Sequence, residues 1–506
     1  MPKLGMIADR LRKPWGTEDA PRGLYGPALR RLWSWLGAFV MTLFALGGSL
    51  TAAQTPDWSR FGDEGIEWLR QYLTIDTTNP PGNEIRGTEF FARILHAEGI
   101  PYDLMESSPG RGILYAKLPG DGSQKGLVLL NHVDVVPWTL ETWTVDPFAA
   151  VIKDGFIYGR GAGDMKDLGM LEFAAFVQVH RNKIPLKRDL IFLATADEES
   201  GGFMGASWFA EHHADLLKNA GFLLNEGGGG LARPNGQVNF KFGIAEKVPV
   251  WVRLTAFGSP GHGSVPNPDS AVTHILAALQ RIQAYQPPVI LTPLVEGYFK
   301  ALAASETEPT KQRYENIRES VKDPVFLREL HEHHPMDYAL LTSTANINVI
   351  HDSTGKVNVV PSKAEAEVDF RLVPGSNGDE WVEEVRKIVA DPSIKVFKMV
   401  SWETIDSPID SALTRTFQEV LTEKYPGATF IPGVQTAFTD SHWFRHLGIA
   451  AYGLNAMVAP SAEEMGVGVH GNDERVSITA WKKALPIYYE IVRRFCEVSA
   501  SGRTAR

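Results

Sequence analysis

The chain is almost without cysteine, and this absence removes several kinds of chemistry. Its 506 residues include one cysteine, Cys496, so an internal disulfide is excluded. A cysteine-based zinc site and a thiol nucleophile are disfavoured for the same reason. No Gly-x-Ser-x-Gly elbow is present, which argues against a metal-free serine hydrolase. The formal net charge is −10 and residues 55–506 have no long basic run, so nucleic acid is not an expected partner.

The N-terminal 54 residues differ in character from the rest of the chain. Arg30 and Arg31 precede an uncharged apolar run over residues 32–53, which ends in small residues suited to cleavage. This pattern predicts a secretory signal and a secreted or periplasmic protein. The run is also long enough to span a bilayer, so an uncleaved membrane anchor facing outside the cytoplasm stays open.

The length and the hydrophobic periodicity predict an α/β protein with two domains. A chain of 506 residues exceeds what one core normally organises, and a hydrophobic content of 44% can fill sizeable cores. Residues 65–74 and 170–181 have helical spacing, and residues 112–116, 126–130 and 189–194 are typical of strands. Such alternation predicts a catalytic domain with a central, mostly parallel sheet, formed by residues 55–246 and 405–506.

Residues 247–404 follow a different pattern. Strands are predicted at 247–255, 345–350, 364–371 and 394–399, and helices at 270–285 and 379–389. This β-α-β-β-α-β order predicts an inserted ferredoxin-like α+β domain. Residues 287–334 are a charged, partly helical insertion within it.

Acidic residues and histidines gather at the ends of predicted strands and in glycine-rich loops. They are His132 and Asp134 in residues 131–137, Asp164 in 159–166, Glu198 and Glu199 in 197–201, Glu226 in 223–228, and His470 in 468–474. A divalent metal in a hydrolytic centre takes neutral imidazole and carboxylate ligands, each oriented by an outer partner. Since His132 and Asp134 lie two apart on a strand, the Asp134 carboxylate can hold the imidazole tautomer.

Five ligands are enough for two metals if one carboxylate is shared. Taken singly, each residue also fits a plainer role: paired acids in a solvated loop, a core or surface histidine, a turn aspartate, or a helix cap. Ordinary turns and caps give no reason for all of them to occur in this order, with an apolar strand before several of them.

In this order, from about Trp58 to the C-terminal helix, the motifs resemble a family of dinuclear zinc peptidases and amidohydrolases. The family includes bacterial carboxypeptidase G, aminoacylase, acetylornithine deacetylase and succinyl-diaminopimelate desuccinylase. Residues 131–164, 225–228 and 439–442 most resemble the branch of Gly-X carboxypeptidase and N-fatty-acyl amino acid hydrolases.

The resemblance implies a pair of zinc ions with a defined set of ligands. His132 and Glu226 would bind one ion, Glu199 and His470 the other, and Asp164 would bridge them. Cobalt or manganese could substitute for zinc at such ligands.

Three further points follow from the resemblance. Glu198 would be the general base, accepting a proton from a water whose pKa zinc lowers to about 7. An unusual cis peptide would fall at Asp164-Met165. Many members of the branch have Asp-Glu-Gly where this chain has Asn225-Glu226-Gly227, so Glu226 is the ligand least supported by the resemblance.

The resemblance also implies residues that hold the substrate. His262, in residues 258–264, would help hold the substrate or the oxyanion, reaching in from a neighbouring subunit in some members. Asn358 and Arg371 would bind a substrate carboxylate, since the planar fork of arginine grips a carboxylate with two hydrogen bonds. Asp440 would lie just behind the site. The resemblance also implies that the inserted domain, residues 247–404, is a lid and a homodimer interface.

Arg371 points to a free carboxylate beside the scissile amide. The predicted activity is therefore that of a zinc-dependent carboxypeptidase acting on small peptides. N-acyl amino acid hydrolysis by the same mechanism is the alternative, and an inactive substrate-binding relative is a third, which the retention of Glu198 disfavours.

Overall fold

The structure, a computed structural model, describes residues 56–461, 464 and 467–498. The predicted leader, residues 1–54, lies outside the described residues. Within the described part, no helix combines the length and apolar character needed to cross a bilayer.

Helices and strands alternate through most of the described chain. The helices are α1 (Trp58–Leu73), α2 (Ile85–Glu98), α3 (Lys166–Arg181), α4 (Ala206–His212), α5 (Ala271–Ala284), α6 (Pro293–Ala303), α7 (Thr310–Glu315), α8 (Ile317–Ser320), α9 (Pro324–His333), α10 (Pro335–Leu341), α11 (Gly378–Val389), α12 (Ala412–Lys424), α13 (Ser441–Arg445) and α14 (Ile478–Cys496). The strands are β1 (Tyr102–Glu106), β2 (Gly112–Leu118), β3 (Gly126–His132), β4 (Val151–Lys153), β5 (Phe156–Tyr158), β6 (Leu190–Thr195), β7 (Ala220–Asn225), β8 (Gly229–Ala232), β9 (Val238–Glu246), β10 (Val248–Phe257), β11 (Gly261–His262), β12 (Thr344–Asp352), β13 (Val359–Val360), β14 (Lys363–Leu372), β15 (Ile394–Ser401), β16 (Thr429–Gln435), β17 (Ala450–Gly453), β18 (Val458–Ala459) and β19 (Arg475–Ser477).

A large sheet organises the catalytic part. Its order is β1-β2-β6-β3-β7-β17-β9-β8-β18, and β16 pairs with β9. The centre is parallel as the sequence predicts, because β6, β3, β7 and β17 run in one direction. Towards the edges antiparallel pairs occur, so the sheet as a whole is mixed. All residues of β3 are buried, as expected for a strand covered on both faces.

Helices cover both faces of this sheet. α1, α2, α3 and α14 contribute to the larger core on one face, and α4 and α13 to a smaller core on the other. The one cysteine, Cys496, is buried in the larger core, where burial raises the pKa of its thiol to about 12. It is a core residue and not a reactive thiol.

A second, antiparallel sheet forms the lid. Its order is β12-β14-β10-β15, the ferredoxin-like arrangement expected from the sequence. Residues of β14 alternate between buried and partly exposed, which is the period of a strand with one covered face. The buried side packs on α5 and α11 and has its own hydrophobic core.

The helical insertion α6–α10 interrupts the lid in sequence, and its apolar residues pack in the core of the catalytic part. Val295 and Phe299 of α6 are buried in the core of the catalytic part, together with apolar residues of the helices that follow. α6 packs against β16 at the far side of the catalytic sheet. The insertion thus has a charged exposed surface and an apolar face that is buried in the core of the catalytic part.

Candidate metal centre

The predicted ligands meet because three parallel strands end at one edge of the sheet. β3 ends at His132, β7 ends one residue before Glu226, and β6 ends three residues before Glu198. The carboxyl ends of adjacent parallel strands lie side by side, which is where sites in such sheets form. Glu198 and Glu199 begin a short 3-10 helix, Glu198–Ser200, which turns the chain at this edge.

Asp164 lies between the two candidate histidine ligands. Its Oδ1 is 3.1 Å from Nε2 of His132, and its Oδ2 is 3.0 Å from Nε2 of His470. Each imidazole also faces a glutamate, since His132 Nε2 is 3.8 Å from Glu226 Oε1 and His470 Nε2 is 3.1 Å from Glu199 Oε2. The structure thus brings together all five side chains predicted as ligands. The peptide bond between Asp164 and Met165 is cis, as the resemblance implies.

The position of Glu198 relative to these ligands is also defined. One ligand-type atom each from His132, Glu198 and Glu226 lie within 4.8 Å of one another, and the same holds for His132, Asp164 and Glu199. Glu198 is therefore close enough to act on anything bound at this site. Its role as general base, and not as a ligand, stays a prediction.

The side chain of Asn225 is hydrogen-bonded to Ser441. Its Nδ2 donates to Ser441 Oγ at 3.1 Å, whereas the next residue, Glu226, faces His132. The chain departs from the Asp-Glu-Gly pattern at a position whose side chain lies against Ser441. The departure thus leaves the carboxylate of Glu226 available to a metal.

The buried charges at this site are unbalanced. Burial raises the pKa of Glu198, and the nearby Glu226 carboxylate raises it further. Burial and the Asp164 carboxylate raise the pKa of Glu199 to about 7, and hydrogen bonds to Asp164 and Glu199 raise the pKa of His470 to about 10. Oε1 of Glu199 is buried and finds no hydrogen-bond donor among the described residues. A cation is the partner that such a group of carboxylates lacks.

Asp134 contacts both the imidazole of His132 and the backbone of the turn that carries Glu198 and Glu199. The carbonyl oxygen of Asp134 is 3.0 Å from His132 Nδ1, whereas its carboxylate is 3.6 Å away. The carboxylate also accepts hydrogen bonds from the backbone amides of Glu198 and Glu199, both at 3.1 Å. Because the carboxylate is close enough to raise the pKa of His132, its role in holding the His132 tautomer stays a prediction, shared with the nearer carbonyl.

Glu474 is a contributor that the sequence did not reveal. It is fully buried, and its carboxylate accepts hydrogen bonds from the backbone amides of Gly161, Gly163 and Asp164. Arg160 pairs with it at 2.8 Å. A buried glutamate thus holds the loop that presents Asp164, and the acidic end of the 468–474 motif was the available signal.

His470 reaches the site through a strained loop. Its φ is 56°, and Gly468 has a φ of +81° with no room for a side chain, since a Cβ there would lie 2.5 Å from Cα of Glu474. Glycine is needed at such a position. The glycine-rich sequence before His470 therefore has a steric reason, and the imidazole side chain stays 53% exposed.

Asp440 lies behind the cluster, as predicted. It is buried, and Thr195 Oγ1 donates to its Oδ2 at 2.8 Å. Burial raises the pKa of Asp440 to about 8, and its charge in turn adds to the raised pKa of Glu198 and Glu226. Gly202 is pressed against it, because a Cβ at Gly202 would lie 2.4 Å from Oδ1.

The predicted substrate residues of the lid lie in two separate places. His262 and Asn358 are exposed and come together where β11 pairs with β13. His262 Nδ1 is 2.8 Å from Ser264 Oγ, and the Gly263 amide donates to the carbonyl of Asn358. Their contacts in the described chain are within the lid, and their role in binding substrate stays a prediction.

Arg371 lies at the other end of the lid, beside a cavity of about 590 Å³. Its Nε and Nη2 donate to Asp369 at 2.7 and 2.9 Å, so the two-bond grip expected for a substrate is made within the chain. Nη1 is buried and has no hydrogen-bond partner among the described residues. Phe438 of the catalytic part lies under the guanidinium, 4.8 Å from ring centroid to Cζ.

The family comparison agrees with this geometry. The model described as peptidase family M20/M25/M40 matches residues 128–494, which include the predicted metal ligands and the whole lid. The chain belongs to this family. As an M20 family protein it is a metal-dependent hydrolase. Members of the family use metal ions, typically zinc.

Curated relatives of this M20 chain include acylases and carboxypeptidase-like proteins. Aminoacylase-1 of Dictyostelium discoideum is 27% identical over 437 residues, which are 85% of this chain and 97% of that protein. The probable carboxypeptidase S-like 2 of the same organism is 26% identical, over 74% of this chain and 72% of the relative. N-fatty-acyl-amino acid synthase/hydrolase PM20D1 of Mus musculus is 26% identical, over 85% of this chain and 87% of that protein.

Solved structures show the same M20 fold. Human carnosine dipeptidase 1 superposes with a TM-score of 0.67 at 15% identity, covering 87% of this chain and 98% of that chain. The metallo-carboxypeptidase Sso-CP2 of Sulfolobus solfataricus superposes with a TM-score of 0.62 at 22% identity, covering 86% of this chain and 99% of that chain. At these identities the likeness establishes the fold.

Proposed function

We propose that this M20 hydrolase holds two zinc ions and cleaves the amide bond next to a free C-terminal carboxylate in small peptides. The observation that carries the metal part is the carboxylate of Asp164, which faces two imidazoles at 3.0 and 3.1 Å. Each imidazole has a further glutamate beside it, so a shared carboxylate and two complete ligand pairs are present.

The residues present fit zinc. Imidazole and carboxylate are its nitrogen and oxygen ligands, and Glu199 Oε1 is buried without a donor among the described residues. His132 and Glu226 would hold one ion, Glu199 and His470 the other, and Asp164 both. When bound, zinc would polarise the scissile carbonyl and lower the pKa of a water.

Glu198 performs the proton transfers in this proposal. It is buried at the site, and its raised pKa suits a group that takes a proton and later gives it back. It accepts the proton of the attacking water and returns it to the nitrogen of the leaving amine. The backbone amides of Glu198 and Glu199 donate hydrogen bonds to Asp134, and these bonds keep the carboxylate of Glu198 in place.

Arg371 supports a substrate with a free carboxylate. Its Nη1 has no partner in the described chain, and the cavity beside it is lined by Met336, Tyr338 and Asn346 among others. Burial, together with the Arg371 charge, lowers the pKa of neighbouring Lys247 to about 7. The Arg371 guanidinium is therefore the fixed positive charge beside this cavity, and a charge-assisted hydrogen bond from it would hold a substrate carboxylate.

Hydrolysis of N-acyl amino acids is the second candidate. Such substrates carry the same carboxylate beside the same amide, and they differ only in the acyl side. Aminoacylase-1 and an N-fatty-acyl amino acid hydrolase are among the relatives that cover most of this chain. The apolar lining from Met336 and Tyr338 is compatible with either a peptide side chain or an acyl group.

Replacing Arg371 with alanine tests the carboxylate contact. KM is expected to rise about 10- to 100-fold with little change in kcat, since a hydrogen bond to a charged group contributes about 1.5–3 kcal/mol. Steady-state kinetics on an N-blocked dipeptide measure both constants. Arg253→Ala is the matched control, because Arg253 pairs with Glu367 in the same lid sheet without lining the cavity.

A KM that stays within error in Arg371→Ala, or one that rises equally in Arg253→Ala, would contradict the assignment.

Export from the cytoplasm, or anchoring to a membrane on its outer side, remains our proposal from the N-terminal sequence. The homodimer through the lid likewise remains a proposal from the resemblance.

A further inference from the structure

The turn that carries Glu198 and Glu199 is held from behind by a chain of buried polar groups. Asp134 takes both backbone amides of the turn, as described above. Asp197, the residue before the turn, has a φ of 69°, and its carbonyl accepts from the amides of Ser200 and Gly202 at 3.1 and 2.6 Å. The direction of the two glutamates therefore depends on where Asp134 and Asp197 are fixed.

Asn79 joins these two aspartates. Its Nδ2 donates to Asp134 Oδ2 at 2.9 Å and to Asp197 Oδ1 at 3.2 Å. The backbone of Asn79 is also fixed, because its backbone N–H donates to the carbonyl of Val135, just beyond the end of the strand that carries His132. One amide group thus connects the two carboxylates that define the turn.

Arg111 adds a positive charge to the same group. Its Nη1 is 2.6 Å from Glu84 Oε1 and 3.2 Å from Asp197 Oδ1. The side chains of Glu84 and Asp197 are 0% and 7% exposed, and that of Asp134 is fully buried. Carboxylates crowded in this way repel one another unless a cation lies between them.

We propose that Arg111 is a positioning residue for hydrolysis: by pairing with Asp197 and Glu84, it fixes the turn that presents Glu198 and Glu199. The ion pairs of Arg111 are with Glu84 and Asp197, which are not among the predicted metal ligands. Arg111 acts through Asp197 and, with Asn79, through Asp134. Outer partners of this kind affect metal affinity and turnover even though they lie outside the ligand set.

The effect on metal binding and on turnover is measured with Arg111→Met, which removes the charge and keeps the length. Chelator competition is expected to show zinc affinity about 10- to 100-fold weaker, because Glu199 loses its support. At saturating zinc, kcat is expected to fall about 10- to 100-fold, with KM within about threefold of the wild-type value.

Arg111→Lys is the rescue variant. A single terminal nitrogen of Arg111 makes both contacts, so the lysine ammonium can replace it and is expected to restore most of the zinc affinity and kcat. Arg86→Met, at an exposed position of α2, is the control and should change neither quantity. Failure of the lysine variant to recover either quantity would overturn the proposal.

A merely structural role is distinguishable. Arg111→Met would then lower the melting temperature while zinc affinity and kcat per folded, zinc-loaded molecule stay at the wild-type value, which would also overturn the proposal. If Arg111→Met does not fold, Asn79→Ala tests the same support, with the same losses expected and unchanged values contradicting it.

The turnover part of this inference rests on the proposed function. If wild-type protein with zinc cleaves no amide substrate, the proposed function fails, and the chelator competition still decides whether Arg111 supports the metal ligands.

Discussion

Replacing Glu198 with alanine is expected to lower kcat by about two to four orders of magnitude while the protein keeps its metal. Loss of a positioned general base has an effect of this size, because the attacking water then has no buried acceptor for its proton. The change is measured as kcat on an N-blocked dipeptide, with zinc per chain determined by elemental analysis of the same sample.

Two comparisons make the Glu198 result specific. Glu198→Gln keeps the volume and should be impaired to a similar extent, whereas Glu89→Ala, on the exposed side of α2, should leave kcat and zinc content unchanged. Loss of zinc in step with activity would contradict the assignment. It would instead make Glu198 a ligand, consistent with its position within 4.8 Å of ligand atoms of His132 and Glu226.

Asp164→Asn is expected to have the second large effect, on metal content as well as rate. The carboxylate offers one oxygen to each histidine side of the site, and an amide offers only one oxygen in place of two. Zinc content is expected to fall from about two ions per chain to one or fewer. Activity is expected to fall on the order of 10³-fold, since several kcal/mol of charge stabilisation are lost.

The control for Asp164 uses the same substitution at an exposed turn. Asp154 has a φ of 53°, a conformation that asparagine also adopts, so Asp154→Asn should keep zinc and activity. Zinc titration followed by calorimetry gives the number of sites. Two full-affinity sites in Asp164→Asn would show that Asp164 is not shared between two ions.

The predicted ligands could be found in the sequence because local signals occur together, in an order that resembles a known family. His132 and Glu226 adjoin the ends of apolar strands, and neighbouring parallel strands place such ends together whatever the lengths of the connections. The steric need for glycine before His470 is likewise visible in the sequence. Local patterns of this kind can be recognised in the sequence without knowledge of tertiary contacts.

Other features depend on contacts between distant parts of the chain. Arg160 meets Glu474 as a buried pair and Arg111 meets Asp197 as a partly buried pair, and neither periodicity nor spacing in the sequence indicates these contacts. The insertion α6–α10 interrupts the lid in sequence, and the burial of its apolar face in the core of the catalytic part is a tertiary contact that the sequence does not show. The carboxylate of Asp134 turns to the backbone of the 198–199 turn, which strand alternation alone cannot show.

The central claim is metal-dependent hydrolysis of an amide beside a free carboxylate. It is tested most directly by amino acid release from matched substrates: N-blocked dipeptides, unblocked dipeptides and N-acyl amino acids, each with its C-terminally amidated counterpart. We predict that protein lacking residues 1–54, loaded with zinc, releases the C-terminal residue of N-blocked dipeptides, cleaves the amidated forms far more slowly, and loses activity on chelation. Cleavage of N-acyl amino acids alone would select the acylase candidate. Equal cleavage of amidated substrates, activity that survives full removal of metal, or no release from any substrate would contradict the account.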